Sequence, residues 1–213
     1  GGNVPLYDGS ITVFSSSAQS NENRVGAVAV QVKGKVVNSF SAEICKYDAD
    51  VTSLRRYNDE GGVMFFVVEM KDPPMEKRVY YAVLHKYELK EILSGVKVVQ
   101  IRKRLHLRLL PDTDICNIDL LCRNFVIQSK LSTPEITISE QDKIGIYKTR
   151  NIRFSFIAPR NQILEYLTNS ELYAYTKDHY GLDVLIGKMT PNHVELHRNA
   201  VVTINGKVFY NSI

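Results

Sequence analysis

The chain has 213 residues, of which 44% are hydrophobic, and its formal net charge is +4. This length can supply one large or two small domains with a buried core, and the modest positive charge permits a polyanionic partner without requiring one. No run of residues approaches the roughly 18 consecutive apolar residues of a membrane helix, and the N-terminal residues lack the pattern of a secretory signal, so we expect a cytoplasmic protein without membrane contact.

A β-hairpin is the first predicted element. Residues 11–14 form a short apolar strand, residues 15–24 are polar and rich in turn-forming types, and residues 25–33 return as a second strand. Asp8 precedes the first strand and therefore lies at the entry to the hairpin.

The second strand of this hairpin carries two polar side chains on one face. Valine alternates with other residues over 28–33, and a period of two is typical of a strand with one face packed in a core. Gln31 and Lys33 therefore point the same way. An acid, an amide and an amine in this order are suited to metal-assisted attack on a phosphate.

The next segments alternate between the strand and helix patterns. The apolar run of residues 63–68 is rich in β-branched and aromatic residues and predicts a central strand covered on both faces. The other predicted elements are a strand over 40–47, a helix capped by Asp50 or Thr52 and stopped by Gly61 and Gly62, a strand over 78–84, a helix over 86–93, a strand over 96–110 and a helix from 115 to about 130.

The sequence pattern changes at Ser132-Thr133-Pro134, where helical periodicity stops and strand patterns follow. We predict the boundary between two regions at this point. Asn205-Gly206 between apolar residues is a strong hairpin signal in the second region. We predict an α/β domain over residues 1–131, with a mixed central sheet flanked by helices, and a smaller strand-rich accessory region over residues 132–213.

Tyr7-Asp8-Gly9, the strand-turn-strand that follows and Gln31-Val32-Lys33 resemble the PD-(D/E)xK nuclease superfamily in its QxK variant. The chain is similar to the nuclease domains at the N-terminus of prokaryotic anti-phage defence proteins, over about residues 4–131. The resemblance implies a restriction-endonuclease-like fold and hydrolysis of DNA phosphodiester bonds with Mg²⁺, or alternatively Mn²⁺. It assigns metal binding to Asp8 and Gln31 and orientation or activation of the attacking water to Lys33.

These roles agree with the chemistry of the side chains. Mg²⁺ prefers oxygen ligands and keeps several waters, and a lysine supplies positive charge where a phosphorus centre becomes more negative. A neutral glutamine attracts a cation less than a glutamate would. Members of the superfamily usually add an acidic residue on an upstream helix. Because seven residues precede Asp8, we expect that helix to be absent or to lie upstream of this sequence.

Two further partners follow from the resemblance and its chemistry. A single site cuts one strand, so a homodimer is expected if the product is a double-strand break. Additional domains or subunits would then supply recruitment or control.

Three alternatives remain open at this stage. Gln31 and Lys33 can be the solvated face of a hairpin, with Asp8-Gly9 as a simple turn. The chain can be a catalytically degenerate nuclease-fold module that binds nucleic acid or protein, or a structural subunit that depends on residues 133–213.

A row of basic residues is the second candidate for contact with nucleic acid. Arg102, Arg104, His106 and Arg108 alternate with largely apolar residues and would form one face of a strand. Such a row can follow phosphates, or it can belong to a solvent-facing or edge strand whose charges discourage aggregation. Arg55 and Arg56 likewise allow two interpretations. They can contact a phosphate of the DNA, or they can simply lie on the exposed surface of a helix.

Metal binding and thiol chemistry receive weaker support from other residues. His193, Glu195 and His197 would share a face of a strand and form a donor set for zinc, although a polar hairpin face is the preferred interpretation. Cys45, Cys116 and Cys122 have no zinc-type spacing and predict reduced, buried thiols.

Overall fold

The structure is a computed structural model. It describes residues 6–71, 73, 75–110, 118–131, 152–156, 163, 167, 171–177, 181, 183–189, 191, 194–197, 201–204 and 207–210. The chain divides into two compact units, Gly1–Ser129 and Lys130–Ile213. Within the described ranges no helix has the length and apolar character needed to cross a membrane.

The described residues up to 131 form six strands and three helices. The strands are β1 (Gly9–Phe14), β2 (Arg24–Val36), β3 (Ile44–Asp50), β4 (Gly62–Lys71), β5 (Glu76–His85) and β6 (Arg102–Leu109), and the helices are α1 (Val51–Asp59), α2 (Lys86–Ser94) and α3 (Ile118–Leu131).

The six strands form one mixed sheet in the order β1-β2-β4-β5-β6-β3. Strands β2 and β4 are parallel, and the other neighbours are antiparallel. Side chains of α1 and α2 pack on one face of the sheet and side chains of α3 on the other. The predicted α/β class, with a mixed central sheet flanked by helices, is confirmed.

Strand β4 is buried on both faces, as its apolar run predicts. On the α1/α2 face its side chains Val63, Phe65 and Val67 pack with Leu54, Tyr57 and Leu89. On the α3 face the cluster is Met64 and Phe66 with Val13, Val28, Cys122, Phe125 and Val126. The two clusters account for the long continuous hydrophobic stretch, because a strand with only one buried face would alternate.

Both ends of α1 follow the predicted signals. The Asp50 carboxylate accepts a hydrogen bond of 3.0 Å from the Ser53 amide, so Asp50 and not Thr52 is the cap. After the helix Gly61 and Gly62 have φ of 102° and 109°. A Cβ on Gly62 would lie 2.5 Å from the Leu84 carbonyl oxygen, so this turn into β4 requires glycine.

Two predicted strands begin at least four residues later in the structure than expected. The strand expected over 40–47 is β3, Ile44–Asp50, and the strand expected over 96–110 begins only at Arg102. Val98, Val99 and Ile101 precede it with 97%, 86% and 73% of their surface exposed. Their apolar, β-branched character predicts a strand, but the pairing of β6 with β3 begins at Arg102.

The second unit contains two separate three-stranded antiparallel sheets among its described residues. One is formed by β7 (Arg153–Ser155), β8 (Leu172–Lys177) and β9 (Asp183–Met189), and the other by β10 (Val194–His197), β11 (Val201–Ile204) and β12 (Lys207–Tyr210). The strand-rich character is as expected, although β8 was not among the predicted elements. Ser132-Thr133-Pro134 and Asn205-Gly206 lie outside the described residues. The pairing of Ile204 with Lys207 agrees with the hairpin predicted there.

A buried carboxylate anchors the connection between β2 and β3. Glu69, on β4, has 0% of its surface exposed. It accepts hydrogen bonds from the Ser41 amide at 2.7 Å, the Ser41 hydroxyl at 2.8 Å and the Lys35 ammonium at 3.3 Å. Burial acts to raise the pKa of Glu69, but the bonds from Ser41, Cys45 and Lys35 outweigh it and hold the pKa below the ordinary value.

We expect Glu69→Gln to lower the free energy of unfolding at pH 7 by about 1–3 kcal/mol, because the amide cannot replace a charged acceptor for all of these donors. The carboxylate stabilises the fold above the ordinary pKa of 4.5. That contribution is lost as the pH falls through the lowered pKa of the folded state. Urea unfolding of both proteins should therefore show the difference shrinking from pH 7 to pH 3, whereas the exposed-site control Glu76→Gln shows little effect. A difference that grows in acid would contradict this prediction.

Candidate functional site

The structure brings Asp8 and Gln31 into direct contact at the start of the first hairpin. The pairing of β1 with β2 places Gly9 opposite Val30, and the Asp8 amide donates to the Val30 carbonyl at 3.0 Å. The Asp8 Oδ2 atom accepts a hydrogen bond of 2.7 Å from the Val32 amide and another from Gln31 Nε2. The exposed Asp8 carboxylate thus continues the backbone ladder of the hairpin by one residue.

Gln31 is buried, with 4% of its surface exposed, so the interpretation of this side chain as part of a solvated hairpin face is wrong. Its Oε1 atom accepts a hydrogen bond of 3.0 Å from the Tyr57 hydroxyl. The orientation of the amide follows from its partners. An ionised carboxylate can only accept, so the amide nitrogen must face Asp8 and the amide oxygen must face Tyr57.

Tyr57 is the member of this cluster that the sequence interpretation did not assign a role. It lies on the buried face of α1 with Leu54, three residues earlier, and its ring stacks on that of Tyr7 with 5.6 Å between centroids. Burial first, then the charge of Asp8 and the nearby Tyr47, raise the pKa of Tyr57 to about 12. The side chain is therefore a neutral hydroxyl at physiological pH. The available signal was a tyrosine at a core position of a helix, since a buried hydroxyl needs a partner.

Lys33 lies one position further along the same face of β2. Side chains two residues apart on a strand share a face, and Lys33 is in register with Val67 on the α1/α2 side. Its side chain is half-buried. Within the described part of the chain no hydrogen bond or ion pair of Lys33 is formed, whereas the next lysine on this face, Lys35, is paired with Glu69 at 3.3 Å. Lys33 is thus an amine of this face that is open to a ligand.

The two arginines of α1 are both exposed, and one of them lies within electrostatic range of the site. The positive charge of Arg56 acts to lower the pKa of both Tyr7 and Tyr57, against the stronger effect of burial. Arg56 is therefore close to the tyrosine pair that adjoins Asp8 and Gln31.

The basic row of β6 lies on the opposite face of the sheet. Leu105 and Leu107 pack into the α1/α2 cluster, so the alternate residues Arg102, Arg104, His106 and Arg108 point to the other side, where they are exposed. The predicted alternation is confirmed. The strand is not an edge strand, because β3 lies outside it.

Arg104 in this row is already paired. Its Nε and one terminal nitrogen donate to the two carboxylate oxygens of Asp48 on β3 at 2.8 Å and 3.0 Å. The bonds from Arg104 hold the pKa of Asp48 below its ordinary value. The pair reduces the charge that this face offers to a polyanion.

The other candidates provide no additional centre among the described residues. His193 and the side chains of Glu195 and His197 lie outside the description, as does Cys116. Cys45 and Cys122 are free and buried as predicted, and burial raises the pKa of both thiols, that of Cys122 to about 11. In the described ranges no group of three or more His, Cys, Asp or Glu side chains converges as a metal site.

Comparison of the chain with protein-family models, with curated proteins and with solved structures found no match.

Proposed function

We propose that the chain is a metal-dependent endonuclease that hydrolyses DNA phosphodiester bonds, with Asp8, Gln31 and Lys33 as its catalytic residues. The observation that carries the proposal is the contact between Asp8 and Gln31, two residues far apart in sequence, on the same sheet face as the open amine of Lys33. The resemblance of these residues to the QxK variant of the PD-(D/E)xK superfamily extends the proposal to a role in prokaryotic defence.

The donors around Asp8 fit a weakly held Mg²⁺. Oδ2 of Asp8 is engaged by Val32 and Gln31, but among the described residues no hydrogen bond to Oδ1 is formed, and the residue is exposed. Gln31 would contribute its amide oxygen after a half-turn of the amide, because the Tyr57 hydroxyl can accept a hydrogen bond as well as donate one. One carboxylate and one amide leave the remaining positions to water, as Mg²⁺ commonly allows.

Each of the three side chains has a distinct task in this mechanism. Asp8 and Gln31 would hold the cation, which when bound would polarise a water and neutralise phosphate charge. Lys33 presents its ammonium to the phosphate and stabilises the negative charge that increases at phosphorus during attack. Tyr57 fixes the direction of Gln31 from within the core.

Arg56 is the proposed DNA contact nearest to this site, with Arg55 beside it on the same exposed part of α1. Arg102, Arg104 and Arg108 lie on the other face of the sheet, so they would contact a separate part of the DNA backbone. A homodimer, whose second site cuts the complementary strand, would make a double-strand break from two such domains.

The second candidate function is a binding module with the same fold and no catalysis. It is favoured by the hydrogen bond from Gln31 Nε2, which occupies Asp8, and by the finding that the described residues contain no group of three or more His, Cys, Asp or Glu side chains that could hold a metal. Such a module would bind DNA without cutting it, and Lys33→Ala would leave binding unchanged.

The first test is nicking of supercoiled plasmid in Mg²⁺ or Mn²⁺. Asp8→Asn retains an acceptor for Val32 but removes the charge, and Lys33→Ala removes the ammonium. We expect each change to reduce the nicking rate about 100-fold or more, the usual effect of losing one electrostatic contact to a transition state. Lys97→Ala is the matched control, since Lys97 is exposed in the segment between α2 and β6 and belongs to neither proposed group of DNA contacts. Full activity of Asp8→Asn would overturn the assignment.

The second test changes the charge of the proposed metal ligand. Gln31→Glu should lower the Mg²⁺ concentration for half-maximal nicking by about tenfold or more, because a charged ligand attracts the cation more strongly. Without metal the two adjacent carboxylates repel each other, so the variant should melt at a lower temperature than wild type and gain more from added Mg²⁺. The exposed Gln19→Glu change serves as control. An unchanged Mg²⁺ requirement would count against Gln31 as a ligand.

The third test separates the two groups of arginines by the length of the DNA. In an Asp8→Asn background, Arg56→Ala should weaken binding of a duplex of about ten base pairs and reduce the salt slope of log K by about one. The paired change Arg102→Ala with Arg108→Ala should leave that short duplex unaffected and weaken binding of a longer one. Loss of short-duplex binding in the paired variant would show that the β6 row belongs to the same DNA-binding surface as the site.

A further inference from the structure

The Gln31 amide is held between two groups that differ in what they can do. The Asp8 carboxylate accepts hydrogen bonds from Gln31 and Val32, whereas the Tyr57 hydroxyl can donate or accept. Gln31 and Tyr57 are 4% and 3% exposed, so water does not substitute freely for either contact. The amide nitrogen also donates a longer hydrogen bond of 3.4 Å to the Val32 carbonyl, which favours the same orientation as Asp8 does. The orientation of the amide is therefore set by the acceptors on its nitrogen side and by the Tyr57 hydroxyl on its oxygen side.

Only two arrangements satisfy the amide. In the one observed, Nε2 donates to Asp8 and Oε1 accepts from Tyr57 at 3.0 Å. In the other, Oε1 turns toward Asp8 and Nε2 donates to Tyr57. Two oxygens facing each other repel, so the second arrangement is stable only when a cation lies beside them.

We propose that Tyr57 is a positioning residue that keeps Gln31 in the cation-free orientation, so that a divalent cation binds only when the amide turns and Tyr57 changes from donor to acceptor. This inference rests on the proposed function, because it concerns the same metal site. We call the hydrogen bond from the Tyr57 hydroxyl to Gln31 the lock, because it weakens cation binding in the metal-free protein.

Turning the Gln31 amide costs free energy because the proton of the Tyr57 hydroxyl loses its acceptor. Among the hydrogen bonds of the described residues, this hydroxyl donates to Gln31. When it accepts from the amide instead, its proton must find another partner inside a packed region. Removing the hydroxyl removes this cost and leaves one unsatisfied amide atom in either orientation.

The experiment is Mn²⁺ binding, followed by electron paramagnetic resonance, to Tyr57→Phe in the full chain. The variant keeps the ring that stacks on Tyr7. We expect it to bind Mn²⁺ about three- to tenfold more tightly than wild type, the ratio that corresponds to one neutral hydrogen bond. Tyr7→Phe is the matched control, because it loses the same atom from a ring whose hydroxyl forms no hydrogen bond with Gln31 among the described contacts, and its affinity should not change.

The Gln31→Glu variant is a second background, in which Tyr57→Phe is not expected to tighten Mn²⁺ binding. In Gln31→Glu, an oxygen can ligate the cation while another accepts from Tyr57, so no rotation is needed. Adding Tyr57→Phe to this background should leave Mn²⁺ affinity equal or weaker. A merely structural effect of Tyr57 would act in the same direction in both backgrounds.

The wild-type protein supplies a measurement that does not depend on the folding of a variant. The side-chain amide resonances of Gln31, identified by their loss in Gln31→Glu, should shift on addition of Mg²⁺ as their acceptor changes from a carboxylate to a phenol. Unshifted resonances under saturating Mg²⁺ would overturn the rotation.

The outcomes separate this inference from the proposed function. Tighter binding by Tyr57→Phe, confined to the glutamine background, supports the lock. Binding by wild type and Gln31→Glu, with Tyr57→Phe equal to or weaker than wild type, overturns the lock and leaves the metal site. If wild type, Tyr57→Phe and Gln31→Glu all fail to bind Mn²⁺, both the lock and the metal-dependent function are overturned.

Discussion

The parallel pairing of β2 with β4 determines where the side chains of the candidate site meet. Parallel neighbours cannot be joined by a tight turn, so the chain between them must cross to the other end of the sheet. Here the crossing segment contains β3, which pairs with β6 at the far edge, and α1, which returns over the sheet. That path brings Tyr57 onto Gln31, the residue of β2 that pairs with Phe65 of β4.

The path of this crossing segment also explains why the α1/α2 face of the sheet has both an apolar and a polar part. Close to α1 the face is apolar, and further along β2 and β4 it becomes polar, with Lys33, Lys35 and Glu69. The buried Glu69 carboxylate holds the start of the crossing segment through Ser41. Lys35 is used in that anchor, which leaves Lys33 as the amine beside Asp8 and Gln31. On one face of β2, the candidate catalytic Lys33 is thus followed directly by Lys35, which has a structural role.

The neutral amide of Gln31 distinguishes this candidate site from one with two carboxylates. A glutamate at position 31 would attract a cation at the expense of repulsion with Asp8 when no cation is present. Glutamine avoids that repulsion by donating to Asp8, so the metal-free site is a closed set of hydrogen bonds. In the proposed metal site a neutral ligand would bind a cation weakly, and both the proposed nuclease and the proposed binding module use the same contact between Asp8 and Gln31.

Much of the fold was predictable because local signals and burial agreed. Three features were visible in sequence, since each depends on residues within a few positions. They are the cap at the start of α1, the glycines Gly61 and Gly62 that end this helix, and the apolar run of β4, which is buried on both faces. The start of β6 was not visible in sequence, because Val98, Val99 and Ile101 have strand-forming side chains, whereas the pairing with β3 begins at Arg102. The extent of β3 was missed for a related reason, since the anchor of Ser41 on Glu69 joins residues far apart in the chain.

For the candidate site, the alternation in β2 was sufficient to place Gln31 and Lys33 on one face, because the side chains of a strand alternate whatever its neighbours are. Sequence alone likewise determined the separate faces of the β6 row. Only the tertiary structure decided that Asp8 touches Gln31, that Tyr57 orients the amide, that Arg104 is paired with Asp48 and that the β6 row lies across the sheet from the site. The contact of Asp8 with Gln31 depends on the register of the β1–β2 hairpin, and the other three facts depend on strand order and on the path of the crossing segment. All of them arise from packing among residues that are distant in the chain, which no local pattern records.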